Sequence, residues 1–324
     1  MSVLIFAESI EGKFKKATFE ACSYGANIAK QTGSEAHAVV IGQVPDDLSV
    51  LGQYGVSKVH KVSGDAFNTF NSNVYAAAIQ QAIQAIGAGY VVISASFNGK
   101  TLAPVLAVKA DAALITNVND HPSSYAPFVV RRSAFSSKGL ADYSTDAALK
   151  IISIIPNAVG VAEMPTECSV ADLALSGDVS GLSNTQSVAI DRVKGQVPLP
   201  EAELVVSAGR GMKAPENWNL IEKLADVLGA TTACSKPVSD MHWRPHTEHV
   251  GQTGIAIRPN LYIAIGISGA IQHLAGVSNS KTIVVINSDP EAPFFKAADY
   301  GVVGDAFDVV PRLTAALETF KATN

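Results

Sequence analysis

Cysteine is scarce: the 324-residue chain has three, Cys22, Cys168 and Cys234, far apart and in no C-x-x-C spacing. Such placement supplies neither a disulfide framework nor a zinc or iron–sulfur centre, and a reducing compartment fits it best. Charge is thin too. Only 16 % of residues are Asp, Glu, Lys or Arg, and 24 Lys and Arg against 29 Asp and Glu give a formal net charge of −5, with a pI near 5.8. No basic stripe or Lys/Arg run provides the electrostatic footprint that nucleic acid or an anionic membrane requires, so small molecules and other proteins are the expected partners. No apolar stretch reaches the roughly 20 residues of a membrane span. The opening Met1-Ser2-Val3-Leu4-Ile5-Phe6-Ala7-Glu8 reads as a strand, without the charged and apolar regions of a signal peptide or an Arg-rich presequence. A cytoplasmic product is expected.

What is present is apolar: 48 % of the residues, ample for two buried cores in a chain of about two ordinary domains. β-type runs at Val3–Ala7, Ala36–Ile41, Val56–Val62, Tyr90–Ser94 and Ala113–Val118 alternate with helical patterns over 15–31 and Tyr75–Ile86, which predicts a parallel sheet flanked by helices. After Asp120 two β-rich segments, Phe128–Ser133 and Lys150–Pro156, suggest an antiparallel extension of that sheet. A Ser- and Gly-bearing stretch over 176–203, ending Val193-Lys194-Gly195-Gln196-Val197-Pro198-Leu199-Pro200, has the composition of a linker. A second series follows, with strands at Leu204–Ala208, Leu261–Ile265, Ile283–Ile286 and Val302–Val303 and helices at Glu216–Leu228 and Ala306–Phe320. The expectation is an α/β protein of two domains, 1–200 and 201–324, each built on a parallel-sheet β/α core.

The chemistry is concentrated in the second half. Gly266-Ile267-Ser268-Gly269-Ala270-Ile271-Gln272-His273-Leu274-Ala275-Gly276 directly follows the strand-like Leu261–Ile265. A strand that breaks at Gly and resumes as a helix leaves backbone N–H groups free to hold an anion. Val250-Gly251-Gln252-Thr253-Gly254 reads as a loop lining the same crevice. Gly209-Arg210-Gly211 ends another strand, at the sheet edge where ligands bind. There Arg210 is either a phosphate ligand making two parallel hydrogen bonds or a solvated residue of a tight turn. The dinucleotide fingerprint is met only loosely, with Ala214 at its third Gly position and no acidic residue ending the next β-type run, so a standard NAD site has little support.

Other groups carry two readings each. His273 suits hydrogen bonding to a flavin pyrimidine carbonyl, or a satisfied core histidine. Thr253 is a ring-nitrogen ligand or a cap, and Lys236, in Ser235-Lys236-Pro237, a cation over a ring or a solvated loop residue. Asn287 and Asp305 follow strands and suit either a ribose or adenine edge or turn formation. His242 and His246 stand i, i+4 with His249 near, but Pro245 argues against a helix that would make them metal ligands. No Ser/His/Asp or Cys/His set stands at recognisable spacing.

Together, Gly209-Arg210-Gly211, Val250–Gly254, Leu261–Gly276 and Ile283–Asp305, including Asn287-Ser288-Asp289-Pro290-Glu291-Ala292-Pro293, resemble the α subunit of electron transfer flavoproteins. The resemblance covers the second half and extends loosely to the first. It implies a heterodimer with a β subunit, holding FAD mainly on a Rossmann-like C-terminal domain of this chain. The family's FAD contacts then fall on Arg210, Ser235, Gln252, Thr253, Ser268, Gln272, His273, Asn287 and Asp305. Lys236, Gly251, Gly269, Ala270 and Ile271 complete the expected cofactor-binding set, with Thr253 near the flavin N5 and His273 near its O2. Electrons are expected to come from acyl-CoA dehydrogenases, as in fatty acid β-oxidation, and to leave toward a membrane quinone oxidoreductase. The protein is then a carrier and not a substrate-converting enzyme. One position departs from the pattern: Lys236 stands where many members have Arg, and a flexible ammonium cannot stack as a guanidinium does. The alternatives are an NAD- or nucleotide-dependent enzyme, a nucleotide-binding regulator, and the large subunit of a bifurcating flavoprotein.

Overall fold

In the computed structural model, residues 2–42, 47–135, 139–183, 185, 187–190 and 197–323 are described. Val193-Lys194-Gly195-Gln196 of the expected linker lies outside them. The chain divides into two units, Met1–Ser133 with Leu140–Arg192, and Val193–Asn324 with Ala134–Gly139.

The first unit runs β1 (Ser2–Phe6), a short hairpin of β2 (Ser9–Ile10) and β3 (Lys13–Phe14), α1 (Lys16–Thr32), β4 (Ala36–Ile41), β5 (Lys58–Val62), α2 (Ser72–Ile86), β6 (Ala88–Ser94) and α3 (Phe97–Ala110). β7 (Ala113–Val118), β8 (Ser124–Tyr125), β9 (Phe128–Ala134), β10 (Gly139–Thr145), β11 (Lys150–Ile154) and β12 (Ser169–Asp172) follow. The sheet order is β10-β9-β7-β11-β6-β1-β4-β5-β12. From β7 to β12 every pairing is parallel, while β9 meets β7 antiparallel. α1 covers one face through Tyr24 and Ile28; α2 and α3 cover the other through Ile79, Ile83, Leu102 and Leu106. Both faces being covered, the central strands are buried along nearly their whole length and do not alternate between buried and exposed residues.

Lys150–Pro156 corrects one expectation. It is not part of an antiparallel extension; its strand, β11, lies inside the parallel sheet between β7 and β6. All five of its residues are buried, as a continuous Ile-rich run requires when helices lie on both sides. Phe128–Ser133 does extend the sheet antiparallel, as β9. Helix α3 was not expected. Gly99 and Pro104 interrupt its pattern, but Ser96 caps it by accepting the Gly99 N–H at 3.0 Å.

The second unit holds β13 (Leu204–Ala208), α4 (Asn219–Leu228), β14 (Thr231–Cys234), α5 (Lys236–Asp240), β15 (Leu261–Ile265), α6 (Ile271–Val277), β16 (Thr282–Asn287), β17 (Tyr300–Val303) and α7 (Ala306–Thr323). Its five strands are all parallel, in the order β14-β13-β15-β16-β17. Ile221, Leu224 and Val310 of α4 and α7 pack in one core; Val250, Ile257, Val277 and Phe294 pack in another around Tyr262 and Val285. From β13 the chain moves outward to β14 and then returns to β15 on the far side. The loops leaving β13 and β15 therefore diverge, and a crevice opens between them at the carboxyl ends of the strands. No described helix is long and apolar enough to cross a membrane.

Candidate functional site

The crevice between β13 and β15 is the mouth of a cleft of about 470 Å³. Its floor is backbone. The Gly209 N–H donates to the Ile265 carbonyl at 2.9 Å, the Gly211 N–H to the Gly266 carbonyl at 3.1 Å, and the Gly266 N–H to the Ile286 carbonyl at 2.9 Å. A Cβ built on Gly211 would lie 2.6 Å from the Gly266 Cα, and one built on Gly266 would lie 2.8 Å from the Gly211 Cα. Gly266 has φ +60 in addition. Only glycine permits this approach, which brings the loops after β13 and β15 into direct contact.

The 250–254 loop is fastened to α6 in a similar way. The Gln252 N–H donates to the Gln272 carbonyl at 2.7 Å, and a Cβ on Gly276 would stand 2.6 Å from the Gly251 Cα. Asn287 orders the opposite wall: its Nδ2 donates to the Ile267 carbonyl at 3.0 Å and its Oδ1 accepts the Asp289 N–H at 3.0 Å. These bonds are made by backbone or by loop-ordering groups, which leaves the hydroxyls of Thr253 and Ser268 and the amides of Gln252 and Gln272 exposed along the cleft.

Arg210, Ser235, Lys236, Gly251, Gln252, Thr253, Ser268, Ala270, Gln272, His273 and Asn287 line this one cleft. Gly269, Ile271 and Asp305 do not. Gly269, at φ +85, packs so tightly on Phe294 that a Cβ would lie 2.5 Å from the Phe294 Cβ. Ile271 is 63 % exposed at the start of α6. Asp305 accepts the Phe307 N–H at 2.9 Å and caps α7, with its other oxygen 3.8 Å from Lys213 Nζ.

His273 is buried, with Nε2 2.8 Å from the phenol oxygen of buried Tyr262. Burial, then the neighbouring His249, push its pKa down to about 4, so it is a neutral hydrogen-bonding group at neutral pH. Its Nδ1 closes no hydrogen bond, although the Val250 backbone lies near. The cations that line the cleft are instead the exposed Arg210 and Lys236. His249, Ile267, Asp289 and Ala292 also line it and had been given no contact from the sequence. For His249 the signal was its place next to Val250-Gly251-Gln252, obscured by its nearness to His242 and His246. Among the described residues, no group of three or more His, Cys, Asp or Glu stands where it could hold a metal.

A bare-backbone floor, two flanking cations, exposed hydroxyls and amides, and a buried imidazole nitrogen without a partner suit a long ligand with an anionic centre and a ring bearing polar edges. Residues 198–278 match the electron transfer flavoprotein FAD-binding domain, and residues 3–176 match the electron transfer flavoprotein domain. The chain belongs to the electron transfer flavoprotein α-subunit family. It is 37 % identical over 315 residues to the electron transfer flavoprotein subunit alpha of Syntrophomonas wolfei, covering 97 % of this chain and 98 % of that one. It is 35 % identical to the subunit alpha of Bacillus subtilis, covering 99 % and 98 %. It is also 30 % identical to a protein named FixB from Clostridium saccharobutylicum, covering 97 % and 95 %. FAD is thus the cofactor of this family's domain, and the residues of the cleft fit it. The matched FAD-binding segment includes both glycine loops and His273; Asn287 and Asp305 lie beyond it.

Proposed function

We propose that this chain carries FAD in a heterodimer with an electron transfer flavoprotein β subunit, accepting electrons from acyl-CoA dehydrogenases and passing them to a membrane quinone oxidoreductase, in the cytoplasm. The observation that carries this reading is the glycine-to-glycine floor of Gly211 and Gly266 beneath a rim of exposed hydroxyls, amides and cations. Bound FAD supplies the capacity to take up and release electrons.

The chain's own residues do the rest. Gly209, Gly211 and Gly266 let a diphosphate approach the backbone, and Arg210 and Ser268 hold its charge at the open edge. Gln252 and Thr253, fixed by the bond between the 252 N–H and the Gln272 carbonyl, present an amide and a hydroxyl to the ring. Lys236 supplies positive charge without stacking. His273 holds a hydrogen bond as a neutral imidazole from beneath, oriented by Tyr262. Gly251 and the 268–273 run shape the wall, and Asp305 acts through the end of α7. The functional division of the chain falls near residue 200.

The test is to purify the chain with its candidate β subunit, record the visible spectrum and identify the released cofactor by chromatography. One FAD per heterodimer, reducible by an acyl-CoA dehydrogenase, is expected. Two FADs would instead indicate a bifurcating flavoprotein, and a colourless complex would overturn the reading.

A further inference from the structure

His249 has no part in the reading above, yet it lines the cleft. Its backbone is fixed by β14: Cys234 and His249 form a parallel bridge, the Val250 N–H donates to the Cys234 carbonyl at 3.1 Å, and the Ile255 N–H donates to the His249 carbonyl at 2.9 Å. The residue is 2 % exposed and still lines the cleft. One edge of its ring is pressed on Gly254, where a Cβ would stand 2.8 Å from both Cγ and Nδ1. On that edge Nδ1 is buried and has no hydrogen-bond partner. The opposite edge carries Nε2 toward Gly251, where a built Cβ would lie 3.5 Å away. With Nδ1 held against Gly254, Nε2 is the ring nitrogen on the side of the cleft-lining Gly251, where a polar ligand could meet it.

We propose that His249 is a further cofactor-binding residue, whose Nε2 faces the FAD-bearing cleft and takes a proton from solvent as electrons arrive at the cofactor. This rests on the reading of the site as that of an FAD carrier. The electron comes from the dehydrogenase, or from an electrode in the test. The proton comes from solvent hydronium: one of its O–H bonds breaks, water is released, and an N–H bond forms at Nε2. His273 cannot serve equally, because its Nε2 is already engaged by Tyr262.

The groups acting on His249 come from each element around it: Lys236 and Asp240 of α5, His246 with its ring centroid 5.3 Å away, His273 of α6, and Cys234 across the bridge. Burial first, then repulsion from His246 and Lys236, lower its pKa against the opposing pull of Asp240. That environment favours its neutral form before reduction, and negative charge added to the cleft favours its cation.

The test uses the FAD-loaded heterodimer with His249→Gln, which keeps a polar side chain but cannot take the proton, and His249→Ala. Spectroelectrochemical titration across the histidine range should give a potential that depends less on pH in H249Q than in wild type. H249A should also bind FAD about tenfold more weakly. Nitrogen-15 NMR of the wild-type heterodimer gives a second readout that needs no variant: Nε2 of His249 should gain a proton on reduction. Wild-type and H249Q pH profiles that superimpose while FAD stays bound, or a His249 resonance unchanged by reduction, would overturn the proposal. Wild type that binds no FAD would instead defeat the carrier reading and this proposal with it.

Discussion

Gly266 carries more of the cleft than any side chain does. It needs both a positive φ and a missing Cβ, because the Gly211 backbone lies 2.8 Å from where that atom would be. Gly266→Ala should therefore destabilise the protein by about 1–3 kcal/mol and abolish the flavin absorbance, as denaturant unfolding and the visible spectrum of the purified heterodimer would report. Lys236→Ala should lower the one-electron potentials of the bound flavin, since it removes a cation from the cleft without disturbing its floor. Potentiometric titration checks this, and unchanged potentials would show the ammonium to be merely solvated. Two of the histidines with lowered pKa values contribute a pH dependence that can be placed on the scale. Burial holds His60 and His273 each at about 4, below the ordinary 6.5. Between those values the unfolded chain binds protons that the folded chain refuses, so stability is full above about 6.5 and falls as the pH drops toward 4. Urea unfolding at a series of pH values should show this, and His273→Gln should flatten the slope.

At the scale of elements, one helix–loop contact stands out. Glu20 on α1 is 1 % exposed, and its carboxylate accepts backbone N–H groups from the loop after β11: Asn157 at 2.7 Å, Val159 at 2.9 Å and Gly160 at 2.9 Å. Glu20→Ala would leave those donors without their acceptor and should cost about 3 kcal/mol or more, visible as a fall in the urea midpoint. Nothing in the sequence marks this bond, because its partners are 137 to 140 positions apart. The elements themselves were legible where a period or a motif was intact. Ala36–Ile41, Ala113–Val118 and Leu261–Ile265 are strands with the expected bounds. Lys150–Ile154 was legible as a strand but not in its direction, since an apolar run says that both faces are covered and nothing about its neighbours. α3 escaped because its apolar residues surround the helix and leave no polar face to set a period. In the cleft, glycines and polar loop residues were legible as a group. His249 is not assigned from the sequence, because its nearness to His242 and His246 masks its place next to the Val250–Gly254 loop; in the structure it is bridged to Cys234 and lines the cleft.

At the scale of the molecule, each unit has its own sheet and its own cores, and the cleft belongs wholly to the second. A ligand that binds only one folded unit stabilises that unit by mass action, about 2.7 kcal/mol at a free concentration of 100 times Kd. Calorimetry of the heterodimer should thus show two chain-derived transitions, of which FAD removal lowers one and leaves the other in place. A single transition shifted as a whole would mean that the units unfold together.

The floor of the cleft has a consequence for engineering. Being made of hydrogens and peptide planes, it offers no side chain to exchange, and any one of Gly209, Gly211 and Gly266 can be varied only if its counterpart gives way. It also reads nothing of the molecule resting on it beyond a close-fitting backbone. A redesign of ligand preference would leave those three positions fixed and vary the rim alone.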